Sequence, residues 1–395
     1  MKKYELLAPA GNFAMLVAAV EAGADAIYFG LDKFGMRANA KNFSIKDLEK
    51  IGKICEEKKV KKYLTLNTIV YDEEIKDLEE TIKKVKGKVD AIICWDFSVI
   101  DLCRKYKIPF FVSTQASVSN TSSANFYKKL GAKKLVLARE LNLKQIKKIS
   151  KILPIECFVH GAMCVSVSGR CITSQFLFNK SANRGECIHP CRRAYTVIDK
   201  QEGFELELEN DKVMSAKDLC MLPYIEDMKK AGITSFKIEG RARDPRYVDA
   251  VVKVYRKALD RKLTKEEIKK SMEELEKIYN RKFSSGFFLG RPTPKDFSDI
   301  EHSASTEKKV YSGKVLHYYG NLGVGVIKIE SNEIYVGDKI SVIGNTTGIK
   351  YFEIKELQKN KKNVESGKRG EEIAIKFNQT VRKNDEVYII KKVKN

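Results

Sequence analysis

Residues 156–195 read ECFVHGAMCVSVSGRCITSQFLFNKSANRGECIHPCRRAY, and the rest of the chain is organised around this stretch. It begins with an apolar strand pattern and continues into a segment rich in small and turn-forming residues. Four of the nine cysteines, Cys164, Cys171, Cys187 and Cys191, fall within the 28 residues 164–191 of this stretch. A long irregular segment needs something other than a packed apolar face to hold it, and a bound metal centre is the candidate.

The spacing of these cysteines, C-x6-C-x15-C-x3-C, leaves several kinds of site open. Disulfides need an oxidising compartment, and the chain opens MKKYELLAPAG without an apolar signal segment, so we expect a reducing, cytoplasmic environment. Zinc sites usually contain two close cysteine pairs, whereas only Cys187 and Cys191 are close here. An iron–sulfur cluster accepts more varied spacings and is favoured, with zinc and plain buried thiols as alternatives.

Short apolar strands alternate with amphipathic helices on both sides of this stretch, which is typical of a parallel α/β fold. Eight parallel strands are enough to close a barrel. The sequence therefore predicts a (β/α)8 TIM-like barrel over residues 1–262, with the Cys-rich loop at 156–195 after the seventh strand. The candidate strands are LLAPA (6–10), AIYFG (26–30), YLTLN (63–67), AIICW (91–95), FFVST (110–114), LVLAR (135–139), ECFVH (156–160) and FKIEG (236–240).

Barrels of this kind carry their chemistry on the loops that follow the strand C-termini. Polar, charged and glycine residues collect at those positions in this sequence. Each of them taken alone is more often a helix cap or a turn, and their coincidence on one rim is the argument for a site. The candidate substrate-binding residues on this rim are Arg37, Asn67, Gln115, Arg139 and Glu140.

Three further rim residues, His160, Glu239 and Arg241, are the candidate catalytic residues. The pKa range of histidine suits His160 to general base catalysis, although a lone histidine at a strand end is more often structural. Arginines on the rim, among them Arg241, could hold a dicarboxylate by bidentate pairing. Alternatively, Glu239 and Glu140 could neutralise them in ordinary ion pairs.

Motifs of several enzyme classes are missing from the sequence. Neither G-x-G-x-x-G nor G-x-x-x-x-G-K-[ST] occurs, so a glycine-rich phosphate loop is not indicated. There is no H-E-x-x-H, and four histidines supply few ligands for a zinc protease. The absence of G-x-S-x-G argues against a serine hydrolase of the nucleophile-elbow type.

The chain is strongly basic, with 74 Lys and Arg against 52 Asp and Glu and a formal net charge of +22. Such an excess favours a polyanionic partner, since each phosphate that is neutralised releases a condensed counterion. Solvated, lysine-rich helix faces are the alternative explanation. No apolar run approaches the roughly 18 residues that indicate a membrane span, so we expect a soluble protein.

Residues 263–307 predict a helix followed by a linker. TKEEIKKSMEELEKIYNRKF, at 264–283, has the pattern of one long helix, with Thr264 and Glu267 forming a capping box. From 308–395 the pattern changes to six short strands with glycine turns, which predicts a small C-terminal β-barrel. Its candidate contacts to the phosphates of a polyanionic partner are Lys309, Lys314, Lys350, Lys368 and Arg369, and a plain structural lid is the alternative role for this domain.

The strings ECFVHGAMCVSVSGRCITS and NRGECIHPCRRAY resemble the signature of the collagenase-like peptidase family U32. Further matches run through most of the chain, and the C-terminal pattern resembles a domain found in many family members. The supporting strings are LLAPAGN (6–12), MRANAKNF (36–43), LARELNL (137–143), SAKDLC (215–220), FKIEGRARDPRYV (236–248) and SSGFFLG (284–290).

The resemblance implies an oxygen-independent RNA hydroxylase with a 4Fe-4S cluster on Cys164, Cys171, Cys187 and Cys191. Cys220 in SAKDLC is the one other cysteine that could compete as the fourth ligand. The resemblance further implies tRNA as partner, carbon 5 of the wobble uridine as target, and the dicarboxylate prephenate as co-substrate. Hydroxylation of ribosomal RNA, the peptidase activity in the family's name, and an RNA-binding protein with a structural cluster stay open as alternatives.

Overall fold

A closed ring of eight parallel strands forms the first part of the computed structural model, which describes residues 4–37, 41–196, 198, 200–201 and 214–393. Each strand pairs with the next along the chain, and the ring closes because the last strand pairs with both the first and the seventh. All eight predicted strands are confirmed. The strands are β1 (Glu5–Pro9), β2 (Ala26–Gly30), β3 (Lys61–Thr65), β4 (Ala91–Cys94), β5 (Phe110–Val112), β6 (Lys134–Val136) and β7 (Ile155–Gly161), with the short β8 (Asp218–Cys220) lying antiparallel beside β7 before β9 (Ser235–Ile238) closes the ring.

Helices alternate with these strands and form the outer layer. Asn or Asp side chains cap five of them by accepting a backbone amide of the first turn, which lets a helix start directly after a short loop. The fold is therefore the predicted α/β barrel. Its helices are α1 (Phe13–Glu21), α2 (Leu48–Glu57), α3 (Ile75–Val85), α4 (Phe97–Lys105), α5 (Thr121–Lys129), α6 (Leu143–Ile149), α7 (Thr173–Phe178), α8 (Ile225–Lys230) and α9 (Pro245–Asp260).

A buried ion network occupies the barrel interior near the strand N-termini. The Glu156 carboxylate is fully buried, and it pairs with Lys237 at 2.8 Å and with Lys134 at 3.4 Å. Lys134 also pairs with Glu5, which accepts a hydrogen bond from the Tyr63 hydroxyl at 2.6 Å. Burial lowers the pKa of Lys237, although the negative charge of Glu156 acts in the opposite direction. We call this cluster the lower ion network: Glu5, Tyr63, Lys134, Glu156, Ser235 and Lys237.

The helix after the barrel, α10 (Lys265–Glu276), begins as predicted, with the Thr264 and Glu267 capping box in place. It ends earlier than the predicted residue 283, because the chain reverses there. The Asn280 side-chain amide donates to carbonyl groups of the last turn, and Lys282 takes a left-handed conformation at φ +58°. This turn brings β10 (Phe283–Ser284) alongside β8.

The segment predicted as a linker is bound to the barrel along its length. Backbone contacts hold it, including Leu143 N to Phe288 O at 3.1 Å and Ser298 N to Ser215 O at 2.6 Å. The Ser298 side chain is fully buried. This segment therefore behaves as part of the barrel surface.

The C-terminal domain is antiparallel and has its own apolar core, which confirms a separate β domain after the barrel. The structure has ten described strands where the sequence predicts six. Eight of them form one sheet in the order β15-β14-β20-β11-β12-β19-β16-β17 and two form a small ribbon. The strands are β11 (Glu307–Tyr319), β12 (Val324–Ile329), β13 (Ile334–Tyr335), β14 (Lys339–Gly344), β15 (Gly348–Glu353), β16 (Leu357–Lys359), β17 (Lys362–Val364), β18 (Ser366–Gly367), β19 (Glu372–Lys376) and β20 (Glu386–Lys392).

The two domains meet where β15 packs on α1. Gly348 lies against α1 with φ +67°, and a Cβ there would be 2.8 Å from a Val17 methyl group, so a side chain is excluded. Ion pairs flank this contact, since Lys350 binds Glu21 at 2.7 Å and Lys309 binds Asp244 at 3.1 Å. Two of the five predicted RNA-contacting cations are therefore engaged by the barrel. Within the described residues, no helix has the length and apolar character to cross a membrane.

Candidate active site

Residues 162–195, here called the cap segment, extend from the end of β7 across the C-terminal mouth of the barrel. Arginine anchors hold the segment against loops of distant strands. The Arg170 guanidinium donates to the Gln115 carbonyl at 2.5 Å, on the loop after β5. The Arg184 guanidinium pairs with Glu74 at 2.9 Å, after β3. The cap segment thus reaches over the mouth from one side to the other.

A third arginine and a carboxylate fix the part of the cap segment closest to β7. Arg192 donates to the carbonyl groups of Met163 at 2.5 Å and Ala216 at 2.6 Å. The Glu140 carboxylate accepts the Ser168 amide at 2.9 Å, where Ser168 takes a left-handed conformation with φ +48°. Glu140 was predicted to bind substrate, and the structure places it as a clamp on the cap segment.

All four predicted cysteine ligands line one cavity beneath the cap segment. Cys164 is exposed and the other three are half-buried. Burial raises the pKa of the Cys191 thiol, and the charges of Cys164, Cys187 and Cys171 add to that effect, so the four groups interact electrostatically. Cys220 does not line this cavity; its buried sulfur is 3.7 Å from the Tyr255 hydroxyl.

The donor set is chemically suited to an iron–sulfur cluster, although the thiols are not in ligand geometry. Among the described residues, no three His, Cys, Asp or Glu side chains are arranged to hold a metal ion. Cationic side chains lie nearby, because Arg37 interacts electrostatically with Cys187, and Arg139 with Cys164. Positive charge beside a thiol stabilises the thiolate that a cluster requires.

Three arginines and one carboxylate meet inside the same cavity, and we call them the arginine site: Arg37, Arg139, Arg241 and Glu239. Glu239 pairs with Arg37 at 3.1 Å. Burial alone would raise the pKa of Glu239, but the positive charges of Arg37, Arg139 and Arg241 lower it to about 2. Glu239 is therefore ionised at neutral pH.

Among the described residues, the other two arginines of the site have no carboxylate partner of their own. The Arg139 guanidinium lies 3.9 Å over the Phe158 ring and donates to the Ala162 carbonyl at 2.9 Å. Arg241 donates to the Thr65 hydroxyl at 3.0 Å. Burial lowers the pKa of both guanidinium groups. Three cations against one carboxylate leave this cavity suited to an anion.

A short hydrogen-bond chain of amides ends in the cavity. The Met36 amide donates to the Asn67 side-chain oxygen at 3.3 Å, and the Asn67 amide donates to the Gln115 side-chain oxygen at 3.3 Å. The Ser113 hydroxyl also donates to that oxygen, so the orientation of the Gln115 amide is fixed. No acceptor for the Gln115 NH2 group is present in the described part of the chain. Both predicted residues, Asn67 and Gln115, thus lie where a ligand would meet them.

His160 is not brought into the cavity. A β-bulge between Phe158 and His160 reverses the alternation of side chains along β7. The imidazole consequently packs on Tyr247 and Tyr255 of α9 and on Phe283 of β10. Burial, with a smaller contribution from a nearby arginine, lowers its pKa to about 3. The geometry therefore favours a packing role and lends no support to the predicted general base.

Several cavity residues were not predicted from the sequence. Lys237 and Tyr28 point inward from β9 and β2, and His189 enters with the cap segment in a left-handed conformation at φ +58°. Burial and the neighbouring arginines lower the pKa of His189 to about 4. A lysine within the apolar string FKIEG was a usable signal, because a charged residue in a barrel strand must face the interior. The cavity has an empty volume of about 1180 Å³, including the part open to solvent.

Comparison with known proteins finds several that are similar to this chain in sequence. It is 39% identical to a protein named collagenase from Porphyromonas gingivalis, over 98% of this chain and 97% of the relative. It is 35% identical to tRNA hydroxylation protein P1 of Bacillus subtilis, over 87% of this chain and 84% of the relative. A third relative, 23S rRNA 5-hydroxycytidine C2501 synthase of Escherichia coli, is 38% identical over 65% of this chain and 39% of its own length.

A family model agrees with these relatives and with the site. The model for peptidase family U32 matches residues 11–298, which include the barrel strands from β2 to β9, the cap segment and all four cysteines. This chain belongs to peptidase family U32.

Proposed function

We propose that this chain is an RNA hydroxylase that accepts an unpaired base in the cavity at the barrel mouth. The observation that carries the proposal is the arginine site, in which three guanidinium groups face one carboxylate beside four thiols. Relatives named for tRNA hydroxylation and for hydroxycytidine synthesis in ribosomal RNA support this class of reaction. A base inside a helical stack cannot enter such a cavity, so the target must be unpaired or flipped.

The proposed co-substrate is a small dicarboxylate such as prephenate. Arg139 and Arg241 pair with no carboxylate in the part of the chain that the structure describes, and each presents a planar fork that fits a carboxylate. Replacing the hydrogen on carbon 5 by a hydroxyl group oxidises the base by two electrons and adds an oxygen atom. Without molecular oxygen, the dicarboxylate must either donate that atom and take up the two electrons itself, or accept the two electrons while water supplies the atom.

The proposed target is a uridine, with the tRNA wobble position as the specific case. The free NH2 group of Gln115 can donate to a carbonyl oxygen, and the oxygen on carbon 4 of uracil is the neighbour of carbon 5. Cytosine carries an amino group at carbon 4, which would meet another donor there. A site built to hydrogen-bond one group rejects an analogue that lacks it.

Cys164, Cys171, Cys187 and Cys191 are the proposed ligands of a 4Fe-4S cluster. Such a cluster supplies electron transfer when bound. Anaerobically purified protein should contain iron and sulfide that oxygen bleaches, and a Cys187→Ala variant should lose them. About one zinc and no iron, or a full cluster in the variant, would refute the ligand assignment.

Nucleoside mass spectrometry tests the reaction. A host that lacks the gene and has no redundant pathway should lose 5-hydroxyuridine and its derivatives, and the wild-type gene should restore them. An Arg241→Met variant, which removes one guanidinium group of the arginine site, should restore little. Normal levels of hydroxylated nucleosides in the deletion host would reject the proposal.

Peptidase activity is the second candidate, because the relative that matches 98% of this chain is named collagenase. Nucleophilic proteases couple a serine or cysteine to a histidine base. In the described ranges, no hydrogen bond joins a histidine ring to either type of side chain. Cleavage of gelatin or casein by pure protein that Cys164→Ala leaves unchanged, together with normal nucleosides in the deletion host, would favour the peptidase.

A further inference from the structure

We propose that the outer face of the cap segment is a docking surface for an unpaired RNA strand, one of whose bases stacks on Phe176. This inference rests on the proposed RNA substrate and adds the surface that presents it. The same segment has two sides with different tasks. Its underside, including Thr173 and Ala182, lines the cavity, and its outer side is apolar and open.

The outer face exposes large apolar side chains to an unusual extent. Phe176 is 79% exposed, Val167 65%, Ile172 58% and Leu177 52%. In α7, by contrast, Ser174 is the buried residue, and its hydroxyl accepts the Ile188 amide within the cap segment at 3.3 Å. Single exposed apolar side chains are ordinary, but several large ones in one short segment are typical of an interaction surface.

Charge decides which partner fits this surface. The cap segment contains five cations, Arg170, Lys180, Arg184, Arg192 and Arg193, against one acidic residue, Glu186. Three of the arginines anchor the segment, which leaves Lys180 and Arg193 on the outer side. Lys180 lies 3.8 Å from Glu186, with both groups largely in solvent, and such a pair is weak. The surface is therefore apolar and positive together.

The aromatic and cationic groups are also interleaved. The Arg193 guanidinium lies 4.5 Å over the Phe178 ring, and Phe176 is its exposed neighbour on α7. Alternating aromatic platforms and cations are what proteins use to bind single strands, because bases stack on the rings while the cations contact phosphates. An apolar protein partner would satisfy the rings but leave the positive charge without a counterpart.

The position of the surface gives it a function. A strand held on the outer side of the cap segment is at the edge of the opening whose underside carries the cysteines. A nucleotide next to the stacked base can then enter the cavity while the rest of the RNA strand stays bound to the outer face. Stacking of the RNA on the protein would compensate for part of the stacking free energy that is lost when the target base leaves its own stack.

The test measures RNA affinity of the iron-loaded, full-length protein by fluorescence anisotropy. The probes are an anticodon stem-loop and a blunt duplex of the same length. Phe176→Ala should weaken stem-loop binding by about tenfold and leave duplex binding unchanged, because stacking acts only on unpaired bases. Phe126→Ala is the matched control, since this phenylalanine is 52% exposed on α5 and does not line the cavity.

Equal loss of stem-loop and duplex binding, or no loss for Phe176→Ala, would overturn the inference. Unchanged RNA affinity combined with loss of the modified nucleoside in cells would assign the surface to a protein partner, and would overturn it as well. These outcomes leave the proposed function intact, because that function fails only when the wild-type protein forms no hydroxylated nucleoside.

Discussion

The barrel interior contains two clusters of charged residues, one at each end, and they differ in their balance. In the lower ion network, Glu5 and Glu156 face Lys134 and Lys237, so two negative charges meet two positive ones. In the arginine site at the mouth, three guanidinium groups face Glu239 alone. Both clusters are largely buried, and strands β6 and β9 contribute to both of them.

The balance of positive and negative charge distinguishes a cluster that stabilises the fold from one that binds a ligand. A buried ion costs free energy unless it is paired and hydrogen-bonded, so the lower ion network is stable with its own members. The arginine site lacks counter-charge, and an incoming anion would supply it. The comparison predicts that mutations in the lower ion network should change stability, whereas mutations in the arginine site should change activity.

The largest effect should come from Glu156→Gln in the lower ion network. This change leaves Lys134 and Lys237 buried without their shared partner, which should lower the free energy of unfolding by about 3–5 kcal/mol. Denaturant titration of the purified protein measures it. Glu49→Gln is the control, because Glu49 pairs with Lys53 in solvent; a loss as small as in the control would mean that the network is not structural.

Arg139→Met should change activity without a matching change in stability. Methionine keeps the packing on Phe158 but removes the guanidinium, so RNA hydroxylation should fall by about 10- to 100-fold. The free energy of unfolding should stay within about 1 kcal/mol, since Arg139 forms no direct ion pair within the described residues and Glu239 keeps its pair with Arg37. Arg139→Lys should recover only part of the activity because it lacks the planar fork. A stability loss as large as that of Glu156→Gln would remove the distinction between the two clusters.

Acid should weaken the arginine site in a defined pH range. The folded pKa of Glu239 is about 2, below its usual 4.5, so ionised Glu239 contributes stability above pH 4.5. That contribution, on the order of 1–3 kcal/mol, is lost as the pH falls from 4.5 toward 2. Denaturant titrations of the apoprotein at several pH values should show a shallower decline for Glu239→Gln. Identical pH dependence in the variant and the wild type would contradict the assignment.

The smallest effect should come from His160→Phe. The ring packs behind β7, and the Tyr255 hydroxyl that contacts it at 3.4 Å also donates to the Val159 carbonyl at 2.8 Å. Activity should therefore stay within about threefold of wild type. A loss of about 100-fold or more, the size expected for a general base, would restore the catalytic role predicted from the sequence.

The barrel was predictable because its signal is local and repeated. Eight apolar strings, each followed by an amphipathic helix, are visible without knowledge of their neighbours, and the structure has a strand at each of them. The cysteines were predictable as a group because one segment carries all four. Arg37, Asn67, Gln115, Arg139, Glu239 and Arg241 were predictable as a rim, because parallel strands in a barrel end at the same face.

Other features depended on contacts between distant parts of the chain. A bulge of one residue in β7 turned His160 away from the cavity, and the string ECFVH contains no signal that predicts the bulge. Lys309 and Lys350 resemble any exposed lysine in the sequence, but docking of the C-terminal domain engages both of them. The predicted helix at 264–283 ended early because β8 offered a pairing partner to Phe283.

The sequence by itself determined the strands, the cap segment, the excess of positive charge and the set of residues at the mouth. Only the tertiary structure decided which charges are balanced, because Glu5, Lys134, Glu156 and Lys237 come from four strands that are far apart in the chain. The same holds for Glu239, whose partner Arg37 is 202 positions away. Residue type and local periodicity specify where a side chain points, whereas the energy of a buried charge depends on what the fold places beside it.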